Sequence, residues 1–355
     1  MGLIRALLAL SVILNHSESF LGLKLVGGAI AVQAFFIISG FYMALILNEK
    51  YIHENGSYKL FISNRFLRIY PIYWVVFLLV ILSSISIYLY KGNLGFFRYY
   101  SEYWDSMSIS TLFFLVISNI SLFFQDIVLF LGLDTSTGEL FFSPKFTEPH
   151  LYYFMAIPQA WSVSVELVFY LIAPFIARKK VHILVILALL SFLLRFFLYS
   201  NGLKEDPWSY RFFATEFFFF FLGIIAYHIY KKISKIQNLE YSKYVYIYIV
   251  LFLICYSIIP INESFKYILF LSNFFLALPF IFLLSKKWKK DRYIGDLSYP
   301  MYISHIFILS LLSVIKVPPH YVGEIGTILT IIFSVFLNEF IAKKIELYRQ
   351  KRVAR

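Results

Sequence analysis

The chain has 355 residues, of which 60% are hydrophobic, 21% aromatic and only 15% charged, with a mean hydropathy of +0.76. A water-soluble domain carries about 25% charged residues, so this composition excludes a hydrated globular surface and a disordered chain, and Cys255 as sole cysteine excludes a disulfide scaffold. The net charge of +12 is gathered in short segments between apolar runs, the pattern of membrane loops rather than of a nucleic-acid surface.

Apolar runs able to cross a bilayer, about 17–25 residues each, fall near 2–20, 27–47, 69–90, 107–132, 160–177, 181–200, 212–230, 244–261, 266–285, 298–315 and 323–342. They read as helices, because an open strand leaves its backbone unsatisfied in lipid and barrel-type alternation is absent. The first run has Arg5 ahead of its apolar stretch but no small-x-small cleavage site, and it runs into Asn15-His16, so it reads as a retained helix. Cys255 lies in an apolar run and reads as a packed thiol.

Eleven crossings would put Arg178-Lys179-Lys180 on the opposite side from the 48–68 loop. If 91–159 instead returns to the side it left, the 48–68, 178–182, 230–243 and 285–292 loops and both termini share one side, which then holds 23 of the 32 Lys and Arg. The positive-inside rule makes that side cytoplasmic. The expectation is an all-α, polytopic bundle of ten transmembrane helices forming one domain over 1–355. Segment 107–132, interrupted by Ser118-Asn119 and Gln125-Asp126, is a re-entrant hairpin or an external membrane-resting segment, and 133–159 is a long external loop.

Polar residues inside spans are expensive and therefore functional candidates, the alternative being a satisfied contact between helices. Here they are Asn15, His16, Gln33, Ser39, Glu166, Arg195, Glu216, His305 and Glu339. A neutral imidazole can take a proton from a hydroxyl, which makes His16 a candidate general base. Glu166, in Trp161-Ser-Val-Ser-Val-Glu166, falls by depth in the same leaflet as His16, where a carboxylate can orient an imidazole. Arg65 and Arg68 stand i, i+3 at the mouth of a span, one helix face, suited to phosphate as forked guanidiniums or to lipid headgroups. No Cys/His cluster has metal-ligand spacing and no glycine-rich nucleotide loop is present, so no metal is expected; His53 and His150 stand in plain loops.

Five motifs occur in order: Arg5-Ala-Leu-Leu-Ala-Leu-Ser-Val-Ile-Leu-Asn-His16; Phe35-Phe36-Ile-Ile-Ser39-Gly40-Phe41; Arg65-x-x-Arg68-Ile-x-Pro71; Trp161-Ser162-x-Ser164-x-Glu166-x-x-Phe169-Tyr170; and Gly295-Asp296-Leu-Ser298-Tyr299-Pro-Met-Tyr302-Ile-Ser-His305. Over essentially the whole chain they resemble the acyltransferase-3 family of integral membrane O-acyltransferases. The resemblance implies a ten-helix core and transfer of an acyl group, acetyl in most members, from cytoplasmic acyl-coenzyme A to a hydroxyl of a cell-surface polysaccharide or a lipid-linked precursor. It makes His16 the catalytic histidine with Glu166 beside it. Arg65 and Arg68, with Tyr299, become contacts to the coenzyme A donor, and Ser39, Trp161, Ser298 and His305 supporting residues. Many members carry an acid where this chain has Gln33, so Glu166 or Glu18 would have to supply the charge beside His16.

The partners expected are acyl-coenzyme A (acetyl-CoA), a carbohydrate acceptor and the lipid bilayer, with no nucleic acid. The basic loops and the absence of a cleaved signal fit a bacterial inner membrane. The rival reading is a polysaccharide exporter or flippase, for which Arg195, Glu216 and Glu339 would line a polar path.

Overall fold

The computed structural model describes residues 1–17, 19–51, 57–235 and 239–354; Glu18 and His53 lie outside the described residues. The chain folds into α1 (Gly2–Asn15), α2 (Gly28–Glu49) and α3 (Tyr58–Lys91), then short α4 (Arg98–Glu102), α5 (Ile109–Ser121) and α6 (Gln125–Val128). A small antiparallel ribbon follows, β1 (Leu131–Leu133) and β2 (Leu140–Phe142), with Gly132 opposite Phe141. The remainder is helical: α7 (Trp161–Ile176), α8 (Val181–Ser200), α9 (Phe213–Ile233), α10 (Leu239–Cys255), α11 (Glu263–Ser285), α12 (Lys289–Asp296), α13 (Ser298–Val314), α14 (Pro319–Leu337) and α15 (Lys343–Ala354). Among the described residues nine helices are long and apolar enough to cross a membrane. With α1 as the tenth, the bundle has the expected number of elements.

α1 is shorter than its expected span. At 14 residues it extends about 21 Å, against a hydrocarbon core of about 30 Å. It stops because its end is polar: the Asn15 side chain accepts from the Gly28 N–H at 3.2 Å and so caps the start of α2. At its other end the Asp291 carboxylate accepts from the Gly2 and Leu3 N–H groups at 2.7 and 2.9 Å. A short helix with both ends satisfied by protein packs inside the bundle rather than against lipid.

α2 is the central helix: 78% of its apolar window is buried by protein, against 17% for α8, whose Leu and Phe side chains are exposed and suited to lipid. α2 meets α9 backbone to backbone. A Cβ on Gly40 would lie 2.0 Å from the Phe220 carbonyl oxygen, and one on Gly223 2.0 Å from that of Ile37. Without a hydrophobic force between helices in lipid, such small-residue contact is what holds spans together.

The two ends of the bundle differ in charge. One gathers the start of α3, the loop before α12 and α15: Arg349 donates to the Asn64 carbonyl at 2.7 Å and Arg352 to the Asn64 side chain at 2.9 Å. Arg178 donates there too, to the Leu47 and Tyr51 carbonyls at 2.8 and 2.7 Å. Because α3 leaves this basic end and α7 returns to it, segment 91–159 begins and ends at the other end, as charge placement requires. α5 dips back beside α3: Tyr70, Tyr73 and Trp74 donate to the carbonyls of Ser121, Asn119 and Ile120. Its apolar face, with Ile109 and Phe113, is exposed. Segment 107–132 therefore returns beside α3 and packs on the bundle. Asn119 accepts from the Ala156 N–H at 2.7 Å, and Asp126 from the Ser164 hydroxyl at 2.6 Å, so the interrupting polar residues pin the segment to the bundle.

Candidate active site

Ser57 caps α3 by accepting from the Leu60 N–H at 3.1 Å, which sets the helix phase that brings Arg65 and Arg68 to one face. Pro71 lies within the helix and removes the bond to the Leu67 carbonyl. Leu67 and Pro71 both line a vestibule of about 660 Å³ that opens at the basic end. Eight Lys and Arg line it against three carboxylates, Asp291, Asp296 and Glu346, and Asp291 is committed to the start of α1. Asn338 and Ala342, the ends of a π-helical turn joining α14 to α15, form part of its wall.

The vestibule narrows at Arg5, Tyr42, Arg65, Arg68 and Tyr299, which also line an inner cavity of about 100 Å³. Arg65 is buried, with an Nε that has no partner, and its guanidinium lies over Phe61 at 5.8 Å. Arg68 is exposed. Among the described residues the arginine ion pairs lie elsewhere, at Arg195–Glu216, Arg211–Asp206 and Arg349–Glu346. Three guanidiniums facing one neck without a carboxylate bridge form a strong anion site. Arg5 is the member that sequence reasoning did not assign. Its signal was in the first motif, since residues eleven apart differ by only about 20° around a helix and about 16 Å along it, so the spacing aligns Arg5 on α1 with His16 just past its end.

Glu166 lines the inner cavity, with Ser39, Tyr170, Ser162, Ser298 and Tyr302. Its carboxylate accepts from the Ser39 and Tyr170 hydroxyls. Among the described residues no hydrogen bond or ion pair joins it to His16, so the expected Glu166–His16 pair is not formed: Oε1 is turned to Ser39 of α2 and Tyr170 of its own helix. Ser298 donates to the Gly295 carbonyl at 2.7 Å and Tyr299 to the Ile69 carbonyl at 3.0 Å, which fixes the start of α13 against α3. At the far end of the cavity the Ser162 and Tyr302 hydroxyls are 2.6 Å apart, and Tyr302 continues to the Gln159 carbonyl at 2.9 Å.

Beyond this closure stand the histidines. His16 lies one residue past α1 and is exposed. Its ring centroid is 5.3 Å from that of buried His305, and His305 is 5.9 Å from Tyr302. Arg211, also absent from the sequence reading, is held by Asp206 through two bonds of 2.5 and 2.7 Å. It lies 4.7 Å over the ring of Trp161 and within electrostatic reach of His16. Trp161 is thus a buried wall for Arg211.

The remaining polar candidates line neither cavity. Gln33 accepts from Tyr267 at 2.6 Å, and Arg195 pairs with buried Glu216 at 2.5 Å. Glu339, expected inside a span, is half-exposed and pairs with Lys343 at 2.6 Å, because the π-helical turn carries it to the basic end of α14. His150, expected in a plain loop, packs with Tyr152 and Tyr153 and pairs with Glu148 at 3.1 Å.

Over 87 residues the chain is 33% identical to "Protein 2 in picA locus" of Rhizobium radiobacter, a match covering 24% of this chain and 44% of that protein. It is 27% identical over 201 residues to an uncharacterized protein of Aquifex aeolicus, covering 54% of this chain and 86% of the other. No solved structure matches it. Residues 1–339, from α1 into the turn after α14, match the family described as "Acyltransferase domain". The chain therefore belongs to the acyltransferase-3 family and has the apolar helices of a multi-pass membrane protein.

Proposed function

We propose that the enzyme moves an acetyl group from cytoplasmic acetyl-CoA to a hydroxyl of a cell-surface polysaccharide, or of its lipid-linked precursor, in a bacterial inner membrane. The observation that carries this reading is the neck of Arg5, Arg65 and Arg68, free of carboxylate bridges, between a basic vestibule and a small polar cavity. The basic end, with both termini, is the cytoplasmic one by the positive-inside rule. The vestibule takes the phosphates and nucleotide of the donor, and the neck takes phosphate oxygens. The inner cavity, with Ser39, Glu166 and Tyr299 along it, takes the pantetheine arm.

Anchoring the phosphates fixes the thioester near the far end of the cavity, a proximity effect. The acceptor arrives from the opposite end. His16 removes the hydroxyl proton as the oxygen bonds to the acyl carbon, and the proton passes to the thiolate as the carbon–sulfur bond breaks. Cells lacking the gene, complemented with wild type or His16→Ala, test this by NMR of O-acyl esters on surface glycans. Wild type restores the ester signal, and the folded, inserted mutant does not. Equal restoration by both would refute the base role. Unacylated glycans with altered export in the parent would favour a transporter.

A further inference from the structure

His305 has no task in the reaction proposed above, yet it is the buried titratable group packed on His16. Its side chain is fully buried, and the two ring planes are tilted by 36° at a centroid distance of 5.3 Å. Nδ1 of His305 lies 2.6 Å from the Tyr302 carbonyl oxygen. A carbonyl only accepts, so Nδ1 carries the ring proton, and in the neutral ring Nε2 is then a bare acceptor. That Nε2 is buried and has no hydrogen-bond partner. Unpaired buried acceptors are few in folded proteins, and each one calls for an explanation.

His16 supplies the complement. Among the described residues no hydrogen bond reaches its ring, and it stands past the last turn of α1 with part of its surface open. At 5.3 Å between centroids the rings are close enough for a rotation of His16 to turn a nitrogen toward His305, and hydrogen bonds that are long in a resting site commonly tighten with substrate bound. Among the described residues no carboxylate of the kind that usually orients a catalytic imidazole is bonded to His16. Position 33 is Gln and bonded to Tyr267, and Glu166 is held by Ser39 and Tyr170.

We propose that His305 is the positioning residue of the general base: its Nε2 accepts a hydrogen bond from one ring nitrogen of His16, which leaves the other nitrogen bare toward the acceptor hydroxyl. The inference rests on His16 acting as the base. As the hydroxyl oxygen bonds to the acyl carbon, its proton moves to the bare nitrogen of His16. The resulting imidazolium keeps its bond to neutral His305, then gives a proton to the departing thiolate. His305 gains and loses none, because Tyr302 fixes its tautomer.

Two substitutions separate positioning from packing. His305→Asn keeps an amide donor where Nδ1 stood, and with it the Tyr302 bond, but has nothing at Nε2. His305→Gln places a carbonyl acceptor near the Nε2 position. Membrane vesicles from cells lacking the gene, complemented with wild type, either variant or His16→Ala, are assayed for thiol release from acetyl-CoA in the presence of their own glycan acceptor. His305→Asn is expected to lower kcat at least about tenfold at unchanged KM for acetyl-CoA, within the roughly 10²–10⁴-fold that a general base supplies. His305→Gln is expected to recover most of the rate. If His16→Ala is inactive while His305→Asn matches wild type, the positioning role is overturned and the base stands. If His16→Ala is fully active, the base falls and the inference with it. Should His305→Asn fail to give a monodisperse protein, His305→Gln decides: folded and active supports the role, folded and inactive overturns it.

Discussion

Arg68→Ala separates donor binding from folding better than any other change at the neck. Arg68 is exposed and forms none of the ion pairs described above. Like-charge repulsion from Arg5 and Arg65 opposes attraction from Asp296, Glu346 and Glu166. Truncation therefore breaks no ion pair, and its cost to the fold should be about 1 kcal/mol or less. A hydrogen bond from a charged donor to phosphate contributes about 1.5–3 kcal/mol, so loss of Arg68 weakens coenzyme A binding roughly 10- to 100-fold. The assay is calorimetric titration of the purified protein in nanodiscs with coenzyme A and, separately, with pantetheine, which lacks the phosphates. Only the coenzyme A affinity should fall, and the thermal midpoint without ligand should hold. An unchanged affinity for coenzyme A, or an equal loss for pantetheine, would refute the phosphate assignment.

Gly40→Ala should destabilise the bundle by about 1–3 kcal/mol, because the added Cβ meets the Phe220 carbonyl oxygen at 2.0 Å and a backbone atom has no rotamer to yield. Activity should fall as well, since neighbouring Ser39 holds Glu166; an unchanged thermal midpoint would contradict the close α2–α9 approach. Asn119→Ala should cost about 1–3 kcal/mol through the orphaned Ala156 N–H, while the Phe154 carbonyl keeps its bond from Tyr100 at 2.9 Å. Limited proteolysis of the 133–159 segment should then accelerate, and an unaltered cleavage rate would mean that α5 is not pinned by this residue.

Composition, at 60% hydrophobic residues, determined that the chain crosses a membrane, and the absence of barrel-type alternation left helices as the way to satisfy its backbone in lipid. Charge placement predicted an even crossing count and made 107–132 a segment that returns. The spacing of Arg65 and Arg68 was enough to place them on one face, since i, i+3 neighbours depend only on helix geometry. The length of α1 was not legible, because its end depends on Asn15 being captured by α2. Nor was the choice of partner for each polar side chain. Depth along the bilayer put Glu166 and His16 in one leaflet, but helix rotation turned the carboxylate toward Ser39 and Tyr170. His305, 289 positions further along the chain, became the neighbour of His16. A sequence encodes how far a residue stands along its own helix. Which helix it faces is decided by the packing of all the others, and here by two glycines that let α2 and α9 meet backbone to backbone.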